Sequence, residues 1–259
     1  MNRSITLSWA EYDFLWEHYQ LGSRRPILEI QSNGYTFDER AQLRAEAWKS
    51  LAAKGLGAPG AFHRDIETTM SVLARPEWEI DARLHLSAEG PRTSALVATA
   101  GTTAAVGVLE PGTLTLTEIS AAGLSRAAVG LLPRHSPGTG ASITLPAHTL
   151  DACAARAGVN RDALRAALVG EGLGKEEARK IVEVVGNVIR FGHFGVAHTP
   201  RGESRVRAGH VVSVYDSPQG RYLFSRRPSG GQAWVTLAPG TDAALARQLD
   251  ELMTSVARI

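Results

Sequence analysis

"EWEIDARLHLSA", residues 77–88, is where the period of the sequence changes. Trp78, Ile80, Ala82, Leu84 and Leu86 fall on one side of an extended chain; Glu79, Asp81, Arg83 and His85 fall on the other. Strict alternation of this kind predicts a half-buried antiparallel strand. Before it the spacing is helical, and after it come further extended runs. The fold is therefore read outward from this point.

Upstream, Ser8-Trp9-Ala10-Glu11 has the form of a capping box, in which serine and glutamate each satisfy a free amide at a helix start. Tyr12, Leu15, Trp16 and Tyr19 follow at helical spacing, and Gly22 ends the segment. "RPILEIQSNG" predicts a short extended piece closed by the Asn33-Gly34 turn. Helices are predicted over 38–55 and 61–73. Downstream of the alternating strand, "EGPR" (89–92) is a loop, and further strands are predicted near 93–100, 103–109, 113–119 and 127–132. "PRHSPGTGAS" (133–142) has the Pro, Gly and Ser density of an exposed connection.

The order then repeats. Helices are predicted at 146–157, 160–169 and 175–188. The last carries Ala178, Ile181, Val182 and Val185 as its stripe, with Glu176 and Lys180 as an i,i+4 pair. Strands follow at 189–198, 205–216, 220–226 and 232–237, and a final helix at 242–257 carries Leu245, Leu249, Leu252 and Val256. Helices then sheet, twice over, predicts one α/β domain (α+β type) spanning 1–259, made of quasi-repeated halves of about 1–140 and 141–259. Joining two small sheets edge to edge removes their exposed edges. The expected architecture is a central antiparallel sheet flanked by two helical bundles, with pseudo-twofold halves.

The totals fit an ordinary globular protein. Of 259 residues, 44% are hydrophobic and 21% charged, which excludes wholesale disorder, and the formal net charge is +2, too small for a strong overall field. The single cysteine, Cys153, excludes an internal disulfide and fits a reducing compartment. "MNRSITLSWAEYDFLW" has no apolar core of a secretory signal. The most membrane-like run, "ALVATAGTTAAVGVL" (95–109), falls short of the roughly 20 residues a spanning helix needs. A cytoplasmic location without membrane insertion is expected.

Reactive motifs are few. "GEGLGKEEA" (170–178) lacks the first glycine of a phosphate-binding loop and has Glu176 where Ser or Thr belongs. "GLSRA" (123–127) has alanine at the second glycine of a nucleophile elbow. The eight histidines occur singly; no metal site and no cofactor are expected. "VYDSPQGRYLF" (214–224) places Asp216, Ser217 and Arg221 about a turn. Pro218 and Gly220 fit the bend, and Asp216 is expected to bond loop amides. An enzyme using Asp216 with nearby Arg or His residues is one alternative reading. Seven arginines against two acids in 190–227 raise another, a nucleic-acid binder using the basic second half. The arginines are scattered without interleaved aromatic motifs, so no nucleic-acid partner is expected.

Taken in order, the aromatic opening helix with "LG" and "RPILEI", then "NGYTFDERAQL", "LAAKGLG" and "LARPEWEIDARL" form one series. "VGLLPRHSPGTGASITLPAHTL", "GHVVSVYDSPQGRYLFSRR" and "AWVTLAPGTDAALARQLDEL" complete it. The series resembles the EspG family of cytosolic chaperones of type VII (ESX) secretion, across nearly the whole chain. The resemblance implies the single α/β fold described and a non-enzymatic role. It implies binding to the tip of the PPE subunit of a PE–PPE heterodimer, which is kept soluble and directed to the ESX machinery, a further partner. Self-association of the free protein is left open. The family supplies no residue-by-residue motif for the contact. A groove is expected between the second-half sheet, through Phe194, Val196, Val212, Val214, Tyr222, Phe224 and Trp234, and the helix at 175–188, through Ile181 and Val185. The "EGPR" loop, with Glu89 and Arg92, is a second expected contact.

Overall fold

The computed structural model describes residues 4–87 and 89–257. It is a mixed α/β fold built on a large antiparallel sheet. Its contacts gather into two compact units, drawn from interleaved stretches of chain. The first is drawn from Met1–Arg83, Pro91–Ala128 and Val196–Val206; the second from Leu84–Gly90, Val129–Gly195 and Arg207–Ile259.

The first unit opens with β1 (Ser4–Ser8) and α1 (Trp9–His18), followed by a single 3-10 turn at Pro26–Leu28, α2 (Phe37–Ala53) and α3 (Arg64–Ala74). Then come β2 (Trp78–His85), β3 (Thr93–Ala100), β4 (Thr103–Glu110), β5 (Thr113–Ser120) and the short α4 (Leu124–Val129). The capping box forms as expected: the Glu11 amide donates to Ser8 Oγ at 3.2 Å, and the Ser8 amide donates to Glu11 Oε2 at 2.6 Å. The strands run in the order β1-β5-β4-β3-β2. Ile5 and Leu7 of β1 stand opposite Leu116 and Leu114 of β5. These join Leu96, Ala98, Ala105 and the α3 residues Ile66, Met70 and Leu73 in one core. Helix α3 packs on β4 with Leu73 over Gly107, where a Cβ would meet Leu73 Cδ1 at 2.8 Å.

The second unit contains β6 (Ile143–Pro146), α5 (Ala147–Ala157), α6 (Arg161–Gly170), α7 (Lys175–Gly186) and β7 (Arg190–His198), whose end lies in the first unit. It continues through β8 (Val206–Arg207), β9 (Val212–Ser217), β10 (Gly220–Ser229), β11 (Gln232–Pro239) and α8 (Asp242–Val256). Its strand order is β7-β9-β10-β11-β6. Helices α5 to α7 pack on Tyr222, Val235, Leu237, Ile143 and Leu145. Helix α8 lies on the other face, where Arg227 pairs with Glu251 at 3.0 Å.

Several local expectations are corrected. Residues 127–132 are not a strand, because α4 runs through Leu124–Val129. "RPIL" closes into a 3-10 turn with proline at its first position, a place where the missing amide costs nothing. The stretch 205–216 is two strands, interrupted between Arg207 and Val212. Strands β1 and β6 were not predicted; each is short and takes its register from a distant partner, β5 and β11. Glu176 pairs with Arg179 rather than Lys180. The polar side of β2 is solvated only in part, at Arg83 and His85. Glu79 and Asp81 are buried, and Glu79 is held by Arg25 at 3.1 Å and by Arg205, whose Nε donates at 2.8 Å.

Candidate docking groove

Helix α7 ends at Gly186, and Val188 and Ile189 carry the chain onto β7. A shallow groove of about 460 Å³ opens here, lined by Val185, Val188, Ile189, Phe191, His193 and Tyr215 with His85 and Ser87. Val185 is 53% exposed and Ile189 42%. The strand register explains the composition of its floor. Phe191 stands opposite Tyr215, and His193 opposite Ser213, so alternate residues of β7 and β9 aim at the same face. The His85 ring stacks on Phe191 with centroids 4.4 Å apart, and His193 Nδ1 lies 2.8 Å from Ser213 Oγ. Burial pushes the Tyr215 phenol above its ordinary value, so it stays neutral.

The residues expected at a contact surface divide sharply. Phe194, Val196, Val212, Val214, Tyr222 and Ile181 are buried core, already covered within the chain, and offer no surface in this fold. The tight two-residue turn is the reason for part of this. It sets Tyr222 opposite Tyr215 and Leu223 opposite Val214, so Val212 and Val214 face away from Tyr222 and Phe224. Phe224 is half-buried, with its ring 6.1 Å from Tyr215 in an edge contact. Trp234, opposite Arg227 in register, is also half-buried. Glu89 and Arg92 are exposed. Only Val185 of the expected set lines the groove. Val188, Ile189, Phe191 and Tyr215, which also line it, were not in the expected set. The signal for Phe191 was present, since the alternation Phe191-Gly192-His193-Phe194 forces it opposite to Phe194.

Asp216 does not bond loop amides; Ser217 Oγ accepts the Gln219 amide instead. Asp216 is sealed between Arg221, at 2.7 Å, and Arg190, at 3.1 Å. Arg221 is 1% exposed, and also donates to the Pro133 carbonyl at 2.6 Å and reaches Asp242 at 3.3 Å. His135 lies 3.2 Å from Arg190 Nη2 and 2.9 Å from the Ser217 carbonyl. The "PRHSPGTG" connection is thus laid across the hairpin rather than free. The Arg221 amide donates to the Ser136 carbonyl, the Gly138 amide donates to the Arg221 carbonyl, and Lys180 donates to the Thr139 carbonyl. The crossing is tight: a Cβ on Gly138 would sit 2.1 Å from the Tyr222 ring.

The arginines of the basic second half are mostly paired with carboxylates. Five of the seven arginines in 190–227 are in ion pairs: Arg190, Arg205, Arg221, Arg226 and Arg227. Among the described residues, no three His, Cys, Asp or Glu side chains gather as metal ligands, and no helix is long and apolar enough to cross a membrane.

An antiparallel sheet carrying helices and an open apolar groove is a scaffold suited to binding another chain. The EspG family profile matches residues 8–251, and this chain belongs to the EspG family. Its fold is similar to that of the Mycobacterium tuberculosis type VII secretion system chaperone EspG5, solved in complex with the PE25–PPE41 dimer. The TM-score is 0.77 at 13% identity, over 97% of this chain and 96% of that one. No curated protein matches the sequence.

Proposed function

We propose that this chain is a non-enzymatic cytosolic chaperone that binds the PPE subunit of a PE–PPE heterodimer, keeps it soluble and directs it to a type VII secretion system. The observation that carries the reading is the apolar groove at the end of α7, on a chain of this family and fold. Exposed apolar side chains gathered in an open groove are suited to docking another protein, which supports the reading. The client's apolar helix end would lie on Val185, Ile189 and Phe191, with the loop bearing Glu89 and Arg92 as a second contact. A stable complex buries about 1,200–2,000 Å² in total, so the groove supplies the anchors and its surroundings the rest.

The alternatives lose their support in the same geometry. Asp216 has its oxygens committed to two guanidinium groups and is buried, which leaves it no substrate to meet. Five of the seven arginines that raised a nucleic-acid surface are paired with carboxylates.

Co-expression with PE–PPE pairs followed by size-exclusion chromatography tests the reading. The wild-type chain should co-elute with one pair. Val185→Asp and Ile189→Asp should abolish co-elution while lowering the thermal midpoint of the free chain only slightly, since both side chains are about half exposed. Co-elution that survives both substitutions overturns the groove as the docking surface. Failure with every pair overturns the chaperone reading.

A further inference from the structure

A small polar cleft of about 240 Å³ lies between α8 and the β10–β11 hairpin, lined by Ser225, Arg227, Thr236, Arg247, Gln248 and Glu251. The sequence places them there. Alternation along β10 puts Ser225 and Arg227 on one face, and the hairpin register sets Thr236 opposite Ser225. On α8, Glu251 follows Arg247 by four residues and Gln248 by three, so all three rise from one side of the helix. Two atoms of the lining are unmatched: Arg227 Nε and Gln248 Oε1 are buried and have no hydrogen-bond partner within the chain. One is a donor and the other an acceptor, and leaving either unpaired is costly. Glu251 does not relieve Arg227 on this side, because its carboxylate accepts from Nη1, at 3.0 Å, and leaves the Nε side of the fork uncommitted. Arg247 brings a second guanidinium to within 3.7 Å of Glu251 Oε1. The lining therefore carries two positive charges against one negative.

We propose that this cleft binds a small oxyanion that keeps one O–H at neutral pH, such as hydrogen phosphate. Its charged oxygens accept from Arg227 Nε and from Arg247, and its hydroxyl donates to Gln248 Oε1. A guanidinium fork is the side chain best shaped for such an ion. Ser225 and Thr236 border the same space with hydroxyls that can donate or accept. Sulfate has the same shape and satisfies the guanidinium groups, but brings no proton for Gln248. The volume equals that of about eight liquid-water molecules, enough for one such ion with part of its hydration and below the range of a drug-sized ligand. The site shares no lining residue with the α7–β7 groove, so it stands apart from the docking surface proposed above.

Titration of the purified chain with phosphate, bicarbonate and sulfate at fixed ionic strength and near-neutral pH tests this. Binding is read by NMR from the Arg227 side-chain Nε–H and from the backbone amides of β10 and α8. Phosphate or bicarbonate should give a saturable shift with a dissociation constant on the order of 10⁻³ M, and sulfate should bind at least about tenfold more weakly. Whichever of the first two binds more tightly is the ion the cleft takes. Arg227→Lys keeps the charge but loses the Nε donor, and should weaken the preferred ion about tenfold. Gln248→Leu should erase the preference, so that this ion and sulfate bind alike. Gln248→Leu removes no charge, and it decides the matter should Arg227→Lys loosen α8 and lower the thermal midpoint. Three results overturn the proposal: no saturable shift with any of the ions, sulfate binding as tightly as the others to the wild-type chain, or a preference that survives Gln248→Leu.

Discussion

Asp216 is the residue whose role changes most between sequence and fold. Read in the chain, it is one polar residue of a turn; in space it is the counter-ion of a guanidinium with no access to water. Removing one member of a buried pair leaves the other charge unsatisfied, which costs about 3–5 kcal/mol. Asp216→Ala should therefore lower the free energy of unfolding by that amount in urea denaturation, and Asp216→Asn should recover little of it. A loss below about 1 kcal/mol would mean that Arg221 is served by the Pro133 carbonyl and Asp242 alone. The hairpin turn sets Arg221 opposite Asp216 in register, but nothing in the local sequence announces Arg190 or the Pro133 carbonyl as further partners. A turn with Pro and Gly is legible from two residues, whereas a charge partner on another strand and a carbonyl 88 positions away are not.

At the scale of elements, periodicity carried far. The apolar stripes of α1, α2, α7 and α8 and the alternation in β2 were legible because burial forces period 3.6 or period 2 on a chain. Period says which residues share a face within one strand, but not which face of the next strand joins it. That is set by the hairpin register, and it separated Val212 and Val214 from Tyr222. Helix α1 offers a test of how elements are fastened. Its Asp13 takes bonds from Arg24 at 2.6 Å, Arg40 at 3.0 Å and the Asn33 amide at 3.0 Å. Burial by itself would raise the carboxyl pKa, but the Asn33 amide and the two guanidinium groups outweigh it and hold the pKa below the ordinary value. A carboxyl with a folded-state pKa below its unfolded one adds stability that is complete above about pH 3.9 and is lost as pH falls through the folded value. Asp13→Asn should thus cost about 2 kcal/mol near neutrality. The gap to wild type should narrow below about pH 4, as read by denaturant melts at both pH values. A gap that stays constant would place the effect in packing rather than charge.

The whole molecule carries a near-neutral formal charge, and its arginines are largely spent on its own carboxylates. Docking by an apolar groove should then be nearly indifferent to salt. Client affinity should change by less than about threefold between 50 and 200 mM salt, against the roughly 10³-fold or greater loss expected of a phosphate-binding surface. Titration by fluorescence anisotropy in both buffers would show it, and a steep slope would return the basic second half to consideration. The class of fold was legible here because helices-then-strands is a whole-chain pattern. The groove was legible only in outline. Its rim depends on where α7 stops and which way the chain leaves it, and one exposed valine was all that the stripe revealed.

The strap across the hairpin has a consequence for synthesis. Thr139 and Tyr222, joined by a 3.1 Å bond, are 83 residues apart, and β6 waits for β11 in the same way. While the chain leaves the ribosome, α5 to α7 can form from neighbours already made, but the segment before them has only Lys180 and Arg190 to hold it until the C-terminal strands emerge. A nascent chain stalled before residue 221 would leave this upstream stretch open to proteases that the finished protein resists.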